Sequence, residues 1–496
     1  MKLGRRGVVA LGVALVFAVV VATDMWPGLR GPESWRWGRR LLPSWRPLLP
    51  VVGLFGLQIL AALGIRRAWT TGNVAARAGW LGLAMALAFA QMLALTAAEP
   101  GGLSNVARRV IDPSFTSHHT TATDIDDVDE FLRTYARRQG SFAVHGPSQP
   151  PGRALFYHAV NRWADRPERT QWLLDLGERL GGVPRGLAGT TDAERAGALA
   201  AGFLLMAIGA LTLAPLAVLA GGRCEPAAVA GTVLLMSTVP SFLLFTPLTD
   251  HLLLFLGWTA AALLVEAMRY ATRPAALAAA FGAGLTAGAA VFVSFTAIPT
   301  IALTAFAATG LLLLAARRGD PFPRRGRILG LAAATGLGVL VVPAITAAHG
   351  LDWPAVYREC LRQADLVQRL RHHRTYWPWV AWNPVDWALF LGLPLAVAWL
   401  GEIAADVRAW SRAGRDEFGR AREIPFALAL LLVLVPLDLS GRILGETGRI
   451  WMSFMPAAVL AVAIARSRYA FRETVVLAIA QGIVLLAIRA TWNVPG

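Results

Sequence analysis

About thirteen apolar runs, near residues 7–23, 48–65, 79–98, 195–220, 227–246, 250–268, 275–293, 297–316, 328–348, 385–401, 424–439, 449–466 and 472–490, alternate with polar connections of unequal length. A helix needs roughly 20 apolar residues to cross a bilayer, and most of these runs approach that length. The pattern predicts an all-α polytopic membrane protein with large loops on one face. Two connections are long and divide the chain. Spans fill 1–98, a first polar loop runs over 99–194, more spans fill 195–348, an Arg/His/Trp loop follows at 349–384, and the last spans fill 385–496. Inside the first loop, "DVDEFLRTYARR" from Asp127 predicts a surface helix, because acids at its start and arginines at its end suit the helix dipole. "HGPSQPPGRALFYHAVNRW" from His145 predicts a Pro-Pro-Gly turn leading into an amphipathic helix, with Gly152 permitting close backbone approach and Trp163 at interfacial depth. The opening "MKLGRRGVVALGVALVFAVVVA" is shaped like a signal peptide but reads as an uncleaved first span.

Composition narrows the class. The chain has 496 residues, 56% hydrophobic and 16% charged, with mean hydropathy +0.52, whereas a soluble domain carries roughly 25% charge. A net charge of +16 would suggest nucleic acid in a soluble protein. Here "IRRAW" from Ile65, "ARRGDPFPRRGR" from Ala315, "RAWSRAGRDEFGRAR" from Arg408 and "ARSRYAFR" from Ala465 carry most of the short-loop charge, while 24–47 and 349–384, on the opposite face, hold five arginines each and point to an anionic ligand there. The positive-inside rule makes those short loops and the N-terminus cytoplasmic, in a bacterial inner (plasma) membrane, with the bilayer and not nucleic acid as partner. The 99–194 loop, the Thr249–Asp250 corner, the 349–384 loop and the turn "SGRILGETGR" from Ser440 then face outward. Cys224 and Cys360 fall on opposite faces, so no disulfide joins them.

Candidate chemistry sits in those outward stretches. Glu99 opens the first loop, and Asp124, Asp126, Asp127 and Asp129 follow in "TDIDDVDEF". These carboxylates could serve as a general base or contact a divalent cation, while a capped helix start accounts for Asp126, Asp127 and Asp129 equally well. His145 and Gln149 on the Pro-Pro-Gly turn form a rim for a polar ligand, and Asp250 stands at the tip of "TPLTDHLLLF". Arg371, His372, His373 and Arg374 cluster beside tryptophans in "RLRHHRTYWPWVAWNPVDW", a setting suited to a phosphate next to a lipid chain. Glu446 and Arg449, three residues apart, share a helix face at the mouth of a span.

The combination of an acidic outward loop, "DEFLRTYARRQGSFAVHGPSQPPG", "RTYWPWVAWNPVDW" and "GETGRIWMSFMP" resembles bacterial integral-membrane glycosyltransferases of the GT-C fold and, more distantly, the protein mannosyltransferases. The resemblance covers the chain from about Glu99 onward. It implies a sugar carried on a polyprenyl phosphate and a glycan, lipid or protein acceptor outside the cytoplasm. It also implies a catalytic carboxylate among Asp124, Asp126, Asp127 and Asp129, with Mg or Mn as the metal such a group could contact. Arg371, His372, His373 and Arg374 would grip the donor phosphate, with Arg449 in reserve. Gln149 stands where the family pattern has His before Pro-Pro-Gly, and the acidic loop follows the third span where the common arrangement follows the first. Glu99 therefore competes for the catalytic role. A lipid or polysaccharide transporter or flippase, or a non-catalytic envelope-assembly component, is the alternative reading.

Overall fold

The computed structural model of the chain describes residues 4–32, 35–143, 145–181, 190–221, 225–270, 272–317, 325–413 and 424–494, with backbone alone at 311–317, 325, 370, 371, 406, 409–413, 424 and 425. The described residues are helical apart from loops and one two-stranded ribbon. The first group of helices is α1 (Arg5–Thr23), α2 (Leu49–Thr71) and α3 (Val74–Ala97). The first polar loop is itself helical: α4 (Ser104–Ile111), α5 (His118–Thr123), α6 (Val128–Arg138), α7 (Gly152–Ala164) and α8 (Pro167–Arg179). Then come α9 (Asp192–Leu211), α10 (Leu213–Gly221), α11 (Pro226–Met236), α12 (Pro240–Leu244), α13 (Asp250–Arg269), α14 (Arg273–Val293), α15 (Ala297–Arg317) and α16 (Arg325–Ala348). The last third holds α17 (Trp353–Leu366), α18 (Tyr376–Leu391), α19 (Leu393–Ala413), α20 (Ile424–Leu439), α21 (Thr447–Ile450), α22 (Met455–Arg466) and α23 (Phe471–Thr491). The ribbon pairs β1 (Gly38–Arg39) with β2 (Trp492–Asn493), antiparallel.

The chain is an all-α polytopic membrane protein. Among the described residues eight helices are long and apolar enough to cross a membrane, and nine if the bent pair α18–α19 counts as one span. Four further apolar helices, Pro226–Met236, Ala297–Gly310, Phe426–Leu439 and Met452–Arg466, are shorter. Every residue of α22 is buried, as expected of a helix that is apolar on all sides. Small residues let other helices approach closely: Gly284 and Gly288 of α14 lie against the backbone of Thr335 and Val339 of α16, where a Cβ would collide.

α1 and α23 run parallel. The Arg6 guanidinium near the start of α1 lies 4.0 Å from the Tyr469 ring just ahead of α23. At their far ends Phe17 meets Trp492 at 6.4 Å, and Gly38 pairs with Asn493. When the first and last spans point the same way, the number of crossings is odd.

The predicted continuous span at 385–401 is replaced by a break. α18 and α19 meet at Gly392 with a 108° bend, and Gly392 has φ +96°. Gln481 of α23 makes the break tolerable in an apolar setting, since its Nε2 donates to Leu391 O at 2.8 Å and its Oε1 accepts from Leu395 N at 3.3 Å. The 227–246 run also divides, because Pro240 starts α12 after α11 has ended at Met236. The helix expected from Asp127 is present as α6, and the turn before Gly152 leads into α7 as expected. At Gly152 a Cβ would run into the Phe292 carbonyl, which is the close approach that glycine permits. Cys360 is a buried free thiol, and Cys224 lies outside the described residues.

The two ends of the span bundle differ in build. At the end where α1 begins, Arg6 pairs with Glu402 at 3.7 Å and Arg66 lies over the Phe471 ring. At the other end α4–α8, α17, α18 and the 440–450 turn gather, joined by residues 35–37, whose Trp35 and Trp37 rings pack on Trp379 and Phe390. The polar cavity lies at this second end.

Candidate functional site

A cavity of about 350 Å³ opens among α5, α7, α13, α15, α17 and the 440–450 turn. One wall comes from the Pro-Pro-Gly stretch. Ser117 fixes it: its Oγ accepts from His145 N at 2.9 Å and from Gly146 N at 3.0 Å, and donates to Ala143 O at 2.7 Å. Gln139 Nε2 donates to Pro147 O at 2.7 Å, and Tyr135 OH to Gln149 O at 2.8 Å. The Gln149 side chain accepts from Ser294 Oγ at 2.9 Å. The turn is thereby held rigid, presenting His145, Ser148, Gln149 and Arg153 to the cavity.

The second wall is the start of α13. Asp250 is its first residue and accepts from Arg153 Nη2 at 3.3 Å, while Arg153 Nε donates to Val293 O. The third wall carries Gln368, His372, Arg374, Arg442, Glu446 and Arg449. Glu446 bridges two guanidinium groups, with Arg374 Nη2 at 2.9 Å on one oxygen and Arg449 Nη2 at 3.0 Å on the other. Arg374 also donates to Leu444 O at 2.5 Å and lies over the adjoining rings of Trp35 and Trp379, 5.4 and 5.1 Å from their centroids. α18 holds this wall from behind. Buried Asp386 accepts from Trp37 Nε1, Thr447 Oγ1 and Gly448 N, and Asn383 accepts from Gly445 N while donating to Asp438 and Ile443 O.

Four arginines (153, 374, 442, 449) against two carboxylates (250, 446) leave the wall with a net charge of +2. Burial alone would raise the Glu446 carboxyl, but Arg449 and Arg374 hold it down to about 2, so it is ionised at neutral pH. Burial, reinforced by Arg449, pushes His145 down to about 4, and burial with Arg153 depresses His118 strongly. Both imidazoles are therefore neutral at pH 7. Burial also lifts the Cys360 thiol to about 12, which keeps it protonated.

Of the residues singled out in the sequence, His145, Gln149, Asp250, His372, Arg374, Glu446 and Arg449 converge on this one cavity. The acidic stretch does not. Asp124, Asp126, Asp127 and Asp129 are exposed and absent from the cavity wall. Asp127 caps α6, accepting from Glu130 N at 2.9 Å, and Asp129 accepts from His349 Nδ1 at 2.8 Å. Glu99 is buried away from the cavity between Arg109 and Arg489, the latter at 2.6 Å, so two cations already occupy its oxygens. His373, at φ +49°, is exposed and does not line the cavity, and the Arg371 side chain lies outside the described residues. Arg153, Arg442 and His118 join the site without having been predicted. Arg153 directly follows Pro-Pro-Gly, a position where a helix start aims its first side chains at whatever the turn faces.

Asp250 and Glu446 are each engaged by arginine. Among the described residues no three His, Cys, Asp or Glu side chains come together as metal ligands. With both carboxylates engaged by arginine, the site does not fit a divalent cation. No protein-family model and no curated protein matches the chain.

Proposed function

We propose that the chain is a membrane glycosyltransferase of the GT-C type, with thirteen crossings, a cytoplasmic N-terminus and its polar cavity facing outward. The count follows from taking the eight long helices, the bent pair and the four shorter apolar helices each as one crossing. It is odd, as the parallel α1 and α23 require. The observation that carries the reading is the cavity itself: four arginines against Asp250 and Glu446, set among membrane helices, with Trp35 and Trp379 backing Arg374. Bidentate guanidinium groups suit a phosphate, and the surrounding spans suit a lipid attached to it.

In this reading the donor is a sugar on a polyprenyl phosphate. Arg442, Arg449 and Arg374 hold the phosphate, with Glu446 keeping the last two in register. Asp250 takes the place that the sequence assigned to the acidic stretch. It removes the proton from an acceptor hydroxyl, and that oxygen forms a bond to the anomeric carbon as the carbon–phosphate-oxygen bond breaks on the opposite face. The electron pair leaves with the polyprenyl phosphate, whose growing charge meets the preorganised arginines. Arg153 orients the Asp250 carboxylate.

The test is turnover in proteoliposomes supplied with radiolabelled polyprenyl-phosphate sugars and a membrane extract as acceptor source. Wild type should release polyprenyl phosphate. Asp250→Asn should lower the rate by roughly 10²–10⁴, the usual contribution of a general base. Asn at Asp124, Asp126 or Asp129 should leave it within about twofold, as expected for surface positions. Full activity in Asp250→Asn, or transport of the lipid without its consumption, defeats the assignment.

A further inference from the structure

A second concavity of about 810 Å³ lies beside α7, on the face of the bundle made by α3, α8 and α9. Its walls are Phe89 and Leu93 of α3, Phe156 and Val160 of α7, and Phe203 and Leu204 of α9, and no charged side chain lines it. α3 and α9 belong to the helices able to cross a membrane, so the groove opens against bilayer hydrocarbon. Trp163 and Trp172, 47% and 57% exposed, stand at its rim, where indoles favour headgroup depth.

One helix belongs to both cavities. Arg153 in the first turn of α7 lines the polar cavity and binds Asp250, while Phe156 and Val160 line the groove. At 1.5 Å rise per residue they lie only about 4.5 and 10.5 Å further along the axis. Arg374, Arg442 and Arg449 come from other elements, and none of those elements contributes to the groove. The groove is thus attached to the Asp250 wall and not to the wall rich in arginine.

We infer that the acceptor is a membrane lipid whose hydrocarbon chain lies in this groove, running along α7 so that its head hydroxyl reaches Asp250. The inference rests on the transferase reading above and selects among its acceptors. The donor chain leaves the site elsewhere.

The test uses the full-length protein in nanodiscs with two photoreactive probes, a diazirine-bearing long-chain alcohol and a diazirine-bearing polyprenyl phosphate, with adducts mapped by peptide mass spectrometry. The alcohol should label α3, α7 and α9 above all other helices. Ala159→Phe, at an exposed groove position, should reduce that labelling at least fivefold, and Ala200→Phe serves should the first variant fold poorly. Polyprenyl phosphate labelling should survive both substitutions and fall in Arg449→Ala. Polyprenyl phosphate adducts in the groove, lost in Ala159→Phe, would assign it to the donor and overturn the inference. Alcohol adducts no more frequent there than on other lipid-facing helices would also overturn it. If polyprenyl phosphate labelling ignores Arg449→Ala while the alcohol still labels the groove, the donor reading falls and takes the acceptor role with it, leaving a chain site alone.

Discussion

Glu446→Gln isolates the electrostatic logic of the cavity. The substitution keeps shape and removes the one charge that two guanidinium groups share, at 2.9 and 3.0 Å. Arg374 is nearly enclosed, with 4% of its side chain exposed, so it cannot turn to water instead. Removing one member of a buried ion pair costs about 3–5 kcal/mol. Because 18% of the Glu446 side chain faces the cavity, the lower end, about 3 kcal/mol, is expected. The stranded arginines then form a stronger anion site. Pyrophosphate at a hundredfold excess over its Kd adds about 2.7 kcal/mol by mass action, enough to restore most of the loss. In wild type the same anion must compete with Glu446 and should stabilise less. Equilibrium unfolding in mixed micelles, followed by tryptophan fluorescence with and without pyrophosphate, reads both effects. A variant as stable as wild type, or one that gains no more from pyrophosphate than wild type does, would refute the bridging role.

Glu99→Gln should be at least as damaging, costing about 3–5 kcal/mol in the same unfolding assay, because Arg109 and Arg489 are both buried against it. Asp127→Ala should cost about 1 kcal/mol, visible as faster amide exchange in the first turn of α6, with transfer unchanged. Stability should fall with acid between pH 6.5 and 4. Burial drives His119 down to about 4, so in that window the unfolded chain binds a proton that the folded chain refuses. The loss from His119 alone reaches on the order of 3 kcal/mol near pH 4, with His118 and His145 acting in the same direction. A flat unfolding midpoint across that range would contradict the burial of these imidazoles.

Hydropathy located the apolar helices well because lipid exposure and burial both demand apolar side chains. It could not show that the 385–401 run bends at Gly392, since the glutamine that satisfies the break lies about ninety residues later in the chain. Within the site, polar residues beside turns and span mouths were readable: His145, Gln149, Asp250, Arg374, Glu446 and Arg449 do share a cavity. The acidic stretch misled for a local reason. Carboxylates at a helix start satisfy backbone N–H groups and the dipole without any ligand, and Asp127 does just that. Arg153 and Arg442 were passed over because a single arginine beside a turn carries no pattern; only the fold shows which way each one points.

The clasp around Glu99 sets an order on how the protein is made. Arg109 is ten residues away and can bind the carboxylate as soon as α4 forms, but Arg489 follows 390 residues later. At about 5–20 residues per second the ribosome needs roughly 20–80 s to deliver it. Until then the acid has one of its two cations, and α1 lacks the neighbour that α23 provides. A stop anywhere between Arg109 and Arg489 therefore leaves a chain whose buried Glu99 has one cation in place of two.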